Sequence, residues 1–180
     1  MNGGKAKRFS KPFDLSAGGT VTAWRATTPQ LRSTASFSKI ESVPVEVIFA
    51  SSVETGEGEA SHLVDGDPET YWHTMYSVTV ANYPHWVDFD AGKPKMMKGF
   101  TYLPRQDSRN GRIKGYRVQV SMDGKNWGEA VASGEFEDNA KEKRVLFSKP
   151  VRARYLRFTA LSSCDGQDFA TGAEMTILAE

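Results

Sequence analysis

Residues 116–121 read YRVQVS, and their strict alternation decides the fold class. The side chains at 116, 118 and 120 are apolar or aromatic and those at 117, 119 and 121 are polar, which is the pattern of a strand with one buried face. Further runs of this kind predict strands at 45–50, 85–90, 98–103, 144–147, 154–160 and 173–178. In the run 85–90, the pattern leaves open whether Trp86 or the pair Val87 and Phe89 faces the core.

Turn residues separate these runs, and helical periodicity is not sustained over any ten residues. Asn110-Gly111 and Asp123-Gly124 are dipeptides of the tight hairpin type. Only residues 60–64 fit a helical turn. Many short strands with Gly and Pro between them predict an all-β fold, an antiparallel sandwich or jelly roll.

Composition excludes several classes of function. The chain has 180 residues and a formal net charge of +1, so its field favours neither nucleic acid nor an anionic membrane. It has no apolar run of transmembrane length. One cysteine, Cys164, cannot form an internal disulfide, and no feature of the sequence indicates a reactive thiol. The basic start lacks the apolar stretch of a signal peptide and is typical of a cut inside a longer protein.

The first forty residues form a separate segment in this interpretation, and residues 41–180 form the main domain. The run 20–26 alternates like a strand, and Gly18-Gly19 would form the turn before it. The stretch 30–40, rich in Ser and Thr, either extends this strand region or serves as a linker. The segment either packs on the main domain or closes a preceding β-domain, since two strands alone are marginally stable.

Residues 61–73, SHLVDGDPETYWH, carry the densest cluster of hard oxygen ligands. Asp65, Asp67 and Thr70 offer carboxylate and hydroxyl oxygens of the kind that Ca²⁺ prefers. The same residues are also typical of a surface turn closed by side-chain hydrogen bonds. The stretch then runs into two aromatic residues and His73.

Signatures of catalysis are poor, although the sequence leaves open a carboxylate pair for glycoside hydrolysis. Three loops, in contrast, have the composition of a binding site. The sequence has no nucleophile elbow, no His-Glu-x-x-His, no phosphate-binding glycine loop and no cysteine pair for zinc. The loop 102–112 offers Arg105 and Asn110, whose donors and acceptors match sugar hydroxyls; alternatively, Arg105 pairs with Asp107. The loop 162–172 carries Phe169, which either stacks on a sugar or plugs the end of the sandwich. The loop 74–83 is unusually apolar.

Eight motifs in a fixed order give the chain a specific resemblance. They are 50–52 ASS, 63–73 LVDGDPETYWH, 84–89 PHWVDF, 102–107 YLPRQD, 110–116 NGRIKGY, 120–127 VSMDGKNW, 153–158 ARYLRF and 173–175 AEM. This succession resembles the coagulation factor V/VIII type C (discoidin-like) superfamily, and within it the family 32 carbohydrate-binding modules of bacterial glycosidases. The resemblance covers about residues 43 to 180 and implies a galactose-binding-domain-like jelly-roll β-sandwich.

The resemblance also implies a structural calcium ion. Its ligands would be the side chains of Asp65 and Glu174, together with Asp67, Thr70 and the carbonyl of the Ala173 region. Such an ion would join the last strand to an early loop, so its binding would add to the stability of the fold.

The family's sugar site lies in the loops at one end of the sandwich. His73, Arg105 and Asn110 match the polar triad that hydrogen-bonds a hexose, and Phe169 matches the stacking aromatic residue. Because Trp72 should point into the core, its neighbour His73 should turn its imidazole outward. Glu57 or Glu59 would add a carboxylate acceptor. The expected partner is a glycan of galactose or N-acetylhexosamine type, bound by a monomeric, non-catalytic module.

A shorter likeness concerns the beginning of the chain. Residues 9–15 and 18–23 resemble the closing strands of a small β-domain in chitobiase- or hexosaminidase-like enzymes. This implies a parent glycoside hydrolase that is secreted, periplasmic or on the cell surface.

The rival hypothesis is a discoidin-like adhesion module that binds membrane lipid or protein. Met75, Tyr76, Val78 and Val80 would be its apolar loop tips. The nearly balanced charge and the lack of a basic rim disfavour it.

Overall fold

A computed structural model describes residues 8, 10, 15, 17–37 and 39–180. Most of the segment 9–15, which carries part of the chitobiase-like resemblance, lies outside the described residues. In chain order the strands are β1 (Gly19–Arg25), β2 (Thr28–Phe37), β3 (Glu41–Val43), β4 (Glu46–Ala50), β5 (Trp72–His73), β6 (His85–Leu103), β7 (Gly115–Ser121), β8 (Ala132–Glu135), β9 (Lys143–Ala160), β10 (Thr171–Gly172) and β11 (Glu174–Ala179). The helix of the described residues is a single 3-10 turn, Ala60–Val64, at the predicted position.

The chain divides into two compact units, residues 1–40 and 41–180. In the first unit β1 and β2 form an antiparallel hairpin. Its strands are joined across one face by hydroxyl hydrogen bonds, between Thr20 and Ser36 and between Thr22 and Thr34. Gly18 precedes the hairpin at φ 74°, in the predicted turn. The stretch 30–40 therefore extends the strand region, because β2 includes residues 30–37.

The second unit is an all-β, galactose-binding-domain-like jelly-roll sandwich. Its seven-stranded sheet has the order β3-β11-β6-β9-β7-β8, with β4 paired to β6 off this path. A small second sheet pairs β10 with β5. No helix in the described part of the chain has the length and apolar character needed to cross a bilayer.

In two places, two consecutive predicted strands form one long strand in the structure. β6 joins the predicted strands 85–90 and 98–103, and β9 joins 144–147 and 154–160. The β6–β9 ladder shifts register between Asp90 and Lys95, which places Gly92 and Pro94 in the interruption. Pro94 and Pro150 are absent from the paired positions, so neither proline removes a ladder hydrogen bond.

The core is built around five aromatic rings, four stacked and one in edge-to-face contact, that come from β6, β7, β9 and the loop after β8. They are Phe100, Tyr102, Tyr116, Phe136 and Phe158, all buried. The Tyr116 and Phe136 rings lie 4.2 Å apart at 13°. Trp72 is also buried, and its indole N–H donates to the Ser52 carbonyl at 2.9 Å. Burying each of these rings stabilises the fold by about 1.5–3 kcal/mol.

The opposite side of the β6–β9 ladder carries two bidentate ion pairs. Arg157 binds Asp88 through two bonds of 2.7 Å, and its guanidinium also lies 4.4 Å from the ring centre of Trp127. Arg154 binds Asp90 with the same geometry. Val87 and Phe89 are buried, which settles the parity of residues 85–90, and Trp86 is half-buried on the other side.

Two local predictions were wrong. Ser121 was placed on the polar, outward side of β7, but it is buried because its hydroxyl bonds Asp123 and the Asn126 carbonyl in the following turn. The dipeptides Asn110-Gly111 and Asp123-Gly124 do form turns with glycine φ of 65° and 69°. Both lie within longer loops, so neither closes a two-residue hairpin.

Candidate functional site

His73 lies in β5, where two backbone contacts fix its position. Its N–H donates to the Gly58 carbonyl at 3.1 Å, and its carbonyl accepts from the N–H of Glu54 at 2.8 Å. Gly58 permits this approach, because a Cβ there would lie 2.6 Å from the Cβ of His73. On its other side, β5 pairs with β10 through His73 and Thr171.

The expectation that the His73 imidazole would face solvent was wrong, since the residue is 1% exposed. The rings of Tyr76 and Phe169 cover it, with centroid distances of 4.8 and 5.4 Å. The alternation of a two-residue strand sends Trp72 and His73 to opposite sides, but packed loops bury both sides. Burial lowers the pKa of His73, with a smaller opposing contribution from its hydrogen bond to Thr74, so the imidazole is neutral near pH 7.

The tautomer of His73 follows from its partners. A carbonyl can only accept, so Nδ1–H donates to the Thr74 oxygen at 2.5 Å and Nε2 carries the lone pair. That lone pair accepts from Asn110 Nδ2 at 3.2 Å. The orientation of the Asn110 amide is thereby fixed, and its Oδ1 remains an acceptor for another group.

Asn110 and Phe169 are held by the loops that carry them. The Asn110 carbonyl accepts from the Thr171 hydroxyl at 2.8 Å. The backbone around Phe169 accepts two side-chain donors, the Tyr83 hydroxyl at the Phe169 carbonyl and His85 Nε2 at the Asp168 carbonyl, the latter at 2.9 Å. Phe169 is half-buried, so part of its ring reaches solvent.

His73, Asn110 and Phe169 form a cluster, here called the His73 cluster, and Arg105 is connected to it only indirectly. Its guanidinium forms two bonds with Asp107, of 2.6 and 2.9 Å, as the alternative interpretation of this loop expected. The Nη1 donors have no hydrogen-bond partner among the described residues. The guanidinium also lies 3.5 Å from the ring centre of Tyr71, a cation–π contact that orients it.

A carboxylate connects this arginine to the His73 cluster. Glu57 accepts from the Tyr71 hydroxyl with one oxygen and from the Tyr76 hydroxyl with the other, each at 2.6 Å. The structure therefore brings His73, Asn110 and Phe169 into direct contact and links Arg105 to them through two tyrosines. Glu59 instead accepts from the N–H of Gly56 at 2.8 Å.

Sequence reasoning gave Tyr71 no role in the sugar site and named Tyr76 only as an apolar loop tip of the rival adhesion hypothesis. It also missed Glu54, which accepts from the Tyr76 and Ser77 N–H groups and from the Ser77 hydroxyl and so fixes the start of that loop. The spacing Glu54-x-x-Glu57 before two tyrosines was the available signal. It was weak, because acidic residues in a polar loop are ordinarily solvated.

The residues predicted to bind calcium lie at the junction of the early loop and β11. Asp65 accepts from the Asp67 N–H at 2.9 Å and from the Thr70 hydroxyl at 2.8 Å. Glu174 follows the buried Ala173, and its Oε1 is buried without a hydrogen-bond partner. Burial, and then the adjacent Asp65 carboxylate, raise the pKa of Glu174 to about 7.

This arrangement fits a cation, because it holds two adjacent carboxylates and an orphaned oxygen. In the part of the chain that the structure describes, no three His, Cys, Asp or Glu side chains converge on a metal position. An ion here would therefore draw on two carboxylates together with hydroxyl and carbonyl oxygens, which is a donor set that Ca²⁺ accepts.

Comparison with known proteins agrees with this architecture. The model of the F5/8 type C domain matches residues 47–175. The chain belongs to the F5/8 type C domain family. Among curated relatives of this F5/8 type C domain, a sialidase of Micromonospora viridifaciens is 35% identical over 142 residues, which is 77% of the chain and 22% of the relative. The chain thus spans about a fifth of the length of that relative.

Two solved structures resemble the F5/8 type C domain closely. One is CpGH89CBM32-5 from Clostridium perfringens in complex with GalNAc-β-1,3-galactose, with 30% identity, a TM-score of 0.69 and coverage of 76% of this chain and 99% of that one. The other is the family 32 module of C. perfringens NanJ in complex with galactose, with 28% identity, a TM-score of 0.69 and coverage of 77% and 98%. The neighbours of this F5/8 type C domain are therefore carbohydrate-binding modules.

Proposed function

We propose that this domain is a non-catalytic carbohydrate-binding module that binds a galactose-type or N-acetylhexosamine-type glycan at its loop end. The observation that supports it most is the contact of His73 with both Asn110 and Phe169. Three residues from three separate segments, strand β5 and two loops, meet there, and they include a stacking ring, an amide and a neutral imidazole.

Each residue has a distinct role in the proposed complex. The exposed part of Phe169 stacks on the apolar face of the sugar ring. The Nη1 donors of Arg105 and the free Oδ1 of Asn110 bond hydroxyls. The His73 lone pair, held by Asn110 in the structure, accepts from a hydroxyl when the sugar takes the place of the amide. A single small polar site of this kind binds with a dissociation constant of about 1 μM to 1 mM.

Titration with galactose, N-acetylgalactosamine and N-acetyllactosamine, followed by NMR shifts of labelled protein, tests this proposal. We expect shifts at Asn110 and Phe169 and their loss in Asn110→Ala. Asn126→Ala, in the turn after β7, is the matched control and should bind normally. If no glycan on a broad array binds, the proposal fails.

The same domain would hold a structural calcium ion through Asp65, Asp67, Thr70, the Ala173 carbonyl and Glu174. The orphaned Glu174 Oε1 beside Asp65 supports this. When bound, the ion would neutralise both carboxylates and fasten β11 to the early loop. At free calcium of 100 to 1,000 times the dissociation constant, it would add about 2.7–4.1 kcal/mol to the free energy of unfolding.

Thermal unfolding in calcium and in chelator tests the ion. Chelator should lower the melting temperature of the wild type but not of Glu174→Gln, which keeps the volume and removes the charge. Glu69→Gln, an exposed residue of the same loop, should keep the full response. A wild type that melts identically in both solutions would show that the loop is only a turn.

In this proposal the domain is a module of a larger carbohydrate-active enzyme that works outside the cytoplasm: secreted, periplasmic or cell-surface. Its role would be to keep the parent enzyme near its glycan. The support is the similarity to a sialidase, of which the matched region makes up 22%. Localising the full-length protein by cell fractionation tests this.

One observation favours the second candidate, an adhesion module for membrane lipid. Val78 is 84% exposed and Val80 is 44% exposed, both in the loop that follows Tyr76. If these side chains enter a lipid interface, the domain should sediment with liposomes, and Val78→Ser with Val80→Ser should abolish sedimentation. Absence of sedimentation at physiological salt would exclude this function.

A further inference from the structure

The cluster of His73, Arg105, Asp107, Glu54 and Glu57 carries more negative than positive charge. Arg105 is the cation of the cluster, and Asp107 binds it through two bonds. The carboxylates of Glu54 and Glu57 are held instead by hydroxyl and backbone N–H donors, and neither forms an ion pair with a described residue. His73 is neutral, so the cluster has a net charge of about two negative units.

The carboxylate of Glu57 is the one placed to act on a ligand. It is exposed, and its hydrogen bond to Tyr76 puts it one phenol ring away from His73. Tyr76 also faces Phe169, with a centroid distance of 6.3 Å. A sugar stacked on Phe169 would therefore neighbour the Tyr76 ring whose hydroxyl Glu57 binds. Two tyrosine hydroxyls hold the carboxylate in its ionised form, since hydrogen bonds to Tyr71 and Tyr76 lower the pKa of Glu57.

We infer that Glu57 makes the site selective for the charge of the sugar, favouring a hexosamine with a free ammonium group over a neutral hexose and disfavouring uronic acids and other anionic sugars. This inference rests on the proposed sugar site. Because the carboxylate is solvated, its effect is that of an exposed charge pair, about threefold to fivefold in affinity for each step of ligand charge.

Three ligands with one ring scaffold separate charge from shape. We would titrate the domain with galactose, galactosamine and galacturonic acid at about pH 6.5, where the amine is protonated and the acid is ionised. In the wild type we expect galactosamine to bind about threefold to fivefold more tightly than galactose, and galacturonic acid to bind more weakly by a similar factor. Raising the NaCl concentration should shrink both ratios toward one.

Glu57→Gln removes the charge and keeps an acceptor and a donor for the two tyrosines. Its affinity ratios among the three sugars should approach one. Glu59→Gln, in the same loop but bonded to Gly56, is the matched control and should keep the wild-type ratios. Ratios that are unchanged in Glu57→Gln, or lost in Glu59→Gln, would overturn the inference.

The outcomes also separate this inference from the proposal beneath it. If the wild type binds galactose but shows equal affinity for all three sugars at low salt, the site exists and the charge selectivity does not. If the wild type binds none of the three, the sugar site itself is wrong. If Glu57→Gln fails to fold, the salt dependence of the wild-type ratios decides, because a constant ratio across salt concentrations contradicts an electrostatic cause.

Discussion

Replacing Arg157 with methionine should lower the free energy of unfolding by about 3–5 kcal/mol, because the Asp88 carboxylate would remain buried without its partner. Asp88 is 5% exposed, and both bonds of the pair are 2.7 Å long. At an effective dielectric constant of about 20, unit charges about 4 Å apart attract by about 4 kcal/mol. The contact of Arg157 with Trp127, at 4.4 Å, contributes about 0.5–1 kcal/mol more.

The chain offers a matched control in Arg154, which binds Asp90 with the same two distances. That pair is more exposed, at 37% and 16% for the two side chains against 26% and 7% for Arg157 and Asp88. Water can therefore solvate Asp90 when its partner is removed. Arg154→Met should cost less than half of what Arg157→Met costs.

Urea unfolding, followed by circular dichroism, measures the loss in free energy of unfolding for both variants, with the variants compared at a common m-value. The double variant Asp88→Leu/Arg157→Met should recover most of the stability, since apolar residues of similar volume often replace a buried pair without loss. If Arg154→Met is as destabilising as Arg157→Met, burial is not the reason for the cost. If the double variant is no more stable than Arg157→Met, the orphaned carboxylate is not the cause.

Three further predictions concern the loop end. Phe169→Ala should weaken sugar binding by about threefold to tenfold in calorimetric titrations through loss of stacking, whereas Phe49→Ala, an exposed ring on β4, should not. Because the pKa of His73 is lowered in the folded state, the contribution of the neutral imidazole to stability should be complete above the unfolded-state pKa of about 6.5 and be lost as the pH falls below it. Urea unfolding at several pH values should show this fall in the free energy of unfolding, and His73→Gln should make the fall smaller. Gly58→Ala should lower the melting temperature and weaken sugar binding, because its Cβ would displace His73, whereas Gly128→Ala, with no atom within 4 Å of the new Cβ, should do neither.

Local patterns were sufficient for the fold class and for most strands. Alternation identified β4, β7 and β11 because one face of each contacts an apolar core. It divided β6 and β9 in two, because Gly92, Pro94 and Pro150 are ordinarily signs of a strand end. Here they lie in two register shifts of the β6–β9 ladder, where no ladder bond is needed, and only the partner strand determines that.

The candidate site was only partly accessible from sequence. The family resemblance selected His73, Asn110 and Phe169, and the structure brings them into contact. The burial of His73 could not be read from strand parity, because loops distant in sequence cover it. The role of Glu57 depends on Tyr71 and Tyr76, 14 and 19 residues further along the chain, and a pairing of that range leaves no periodic signal.

Because β6 is long, this one strand contacts both the proposed sugar site and the proposed calcium site. It begins at His85, whose imidazole holds the backbone beside Phe169, and it ends at Leu103, which precedes the Arg105 loop and pairs with Glu174. A sugar that stiffens the loop end and an ion that stiffens β11 would order the same backbone. By thermodynamic reciprocity, each would then strengthen the binding of the other by an equal factor.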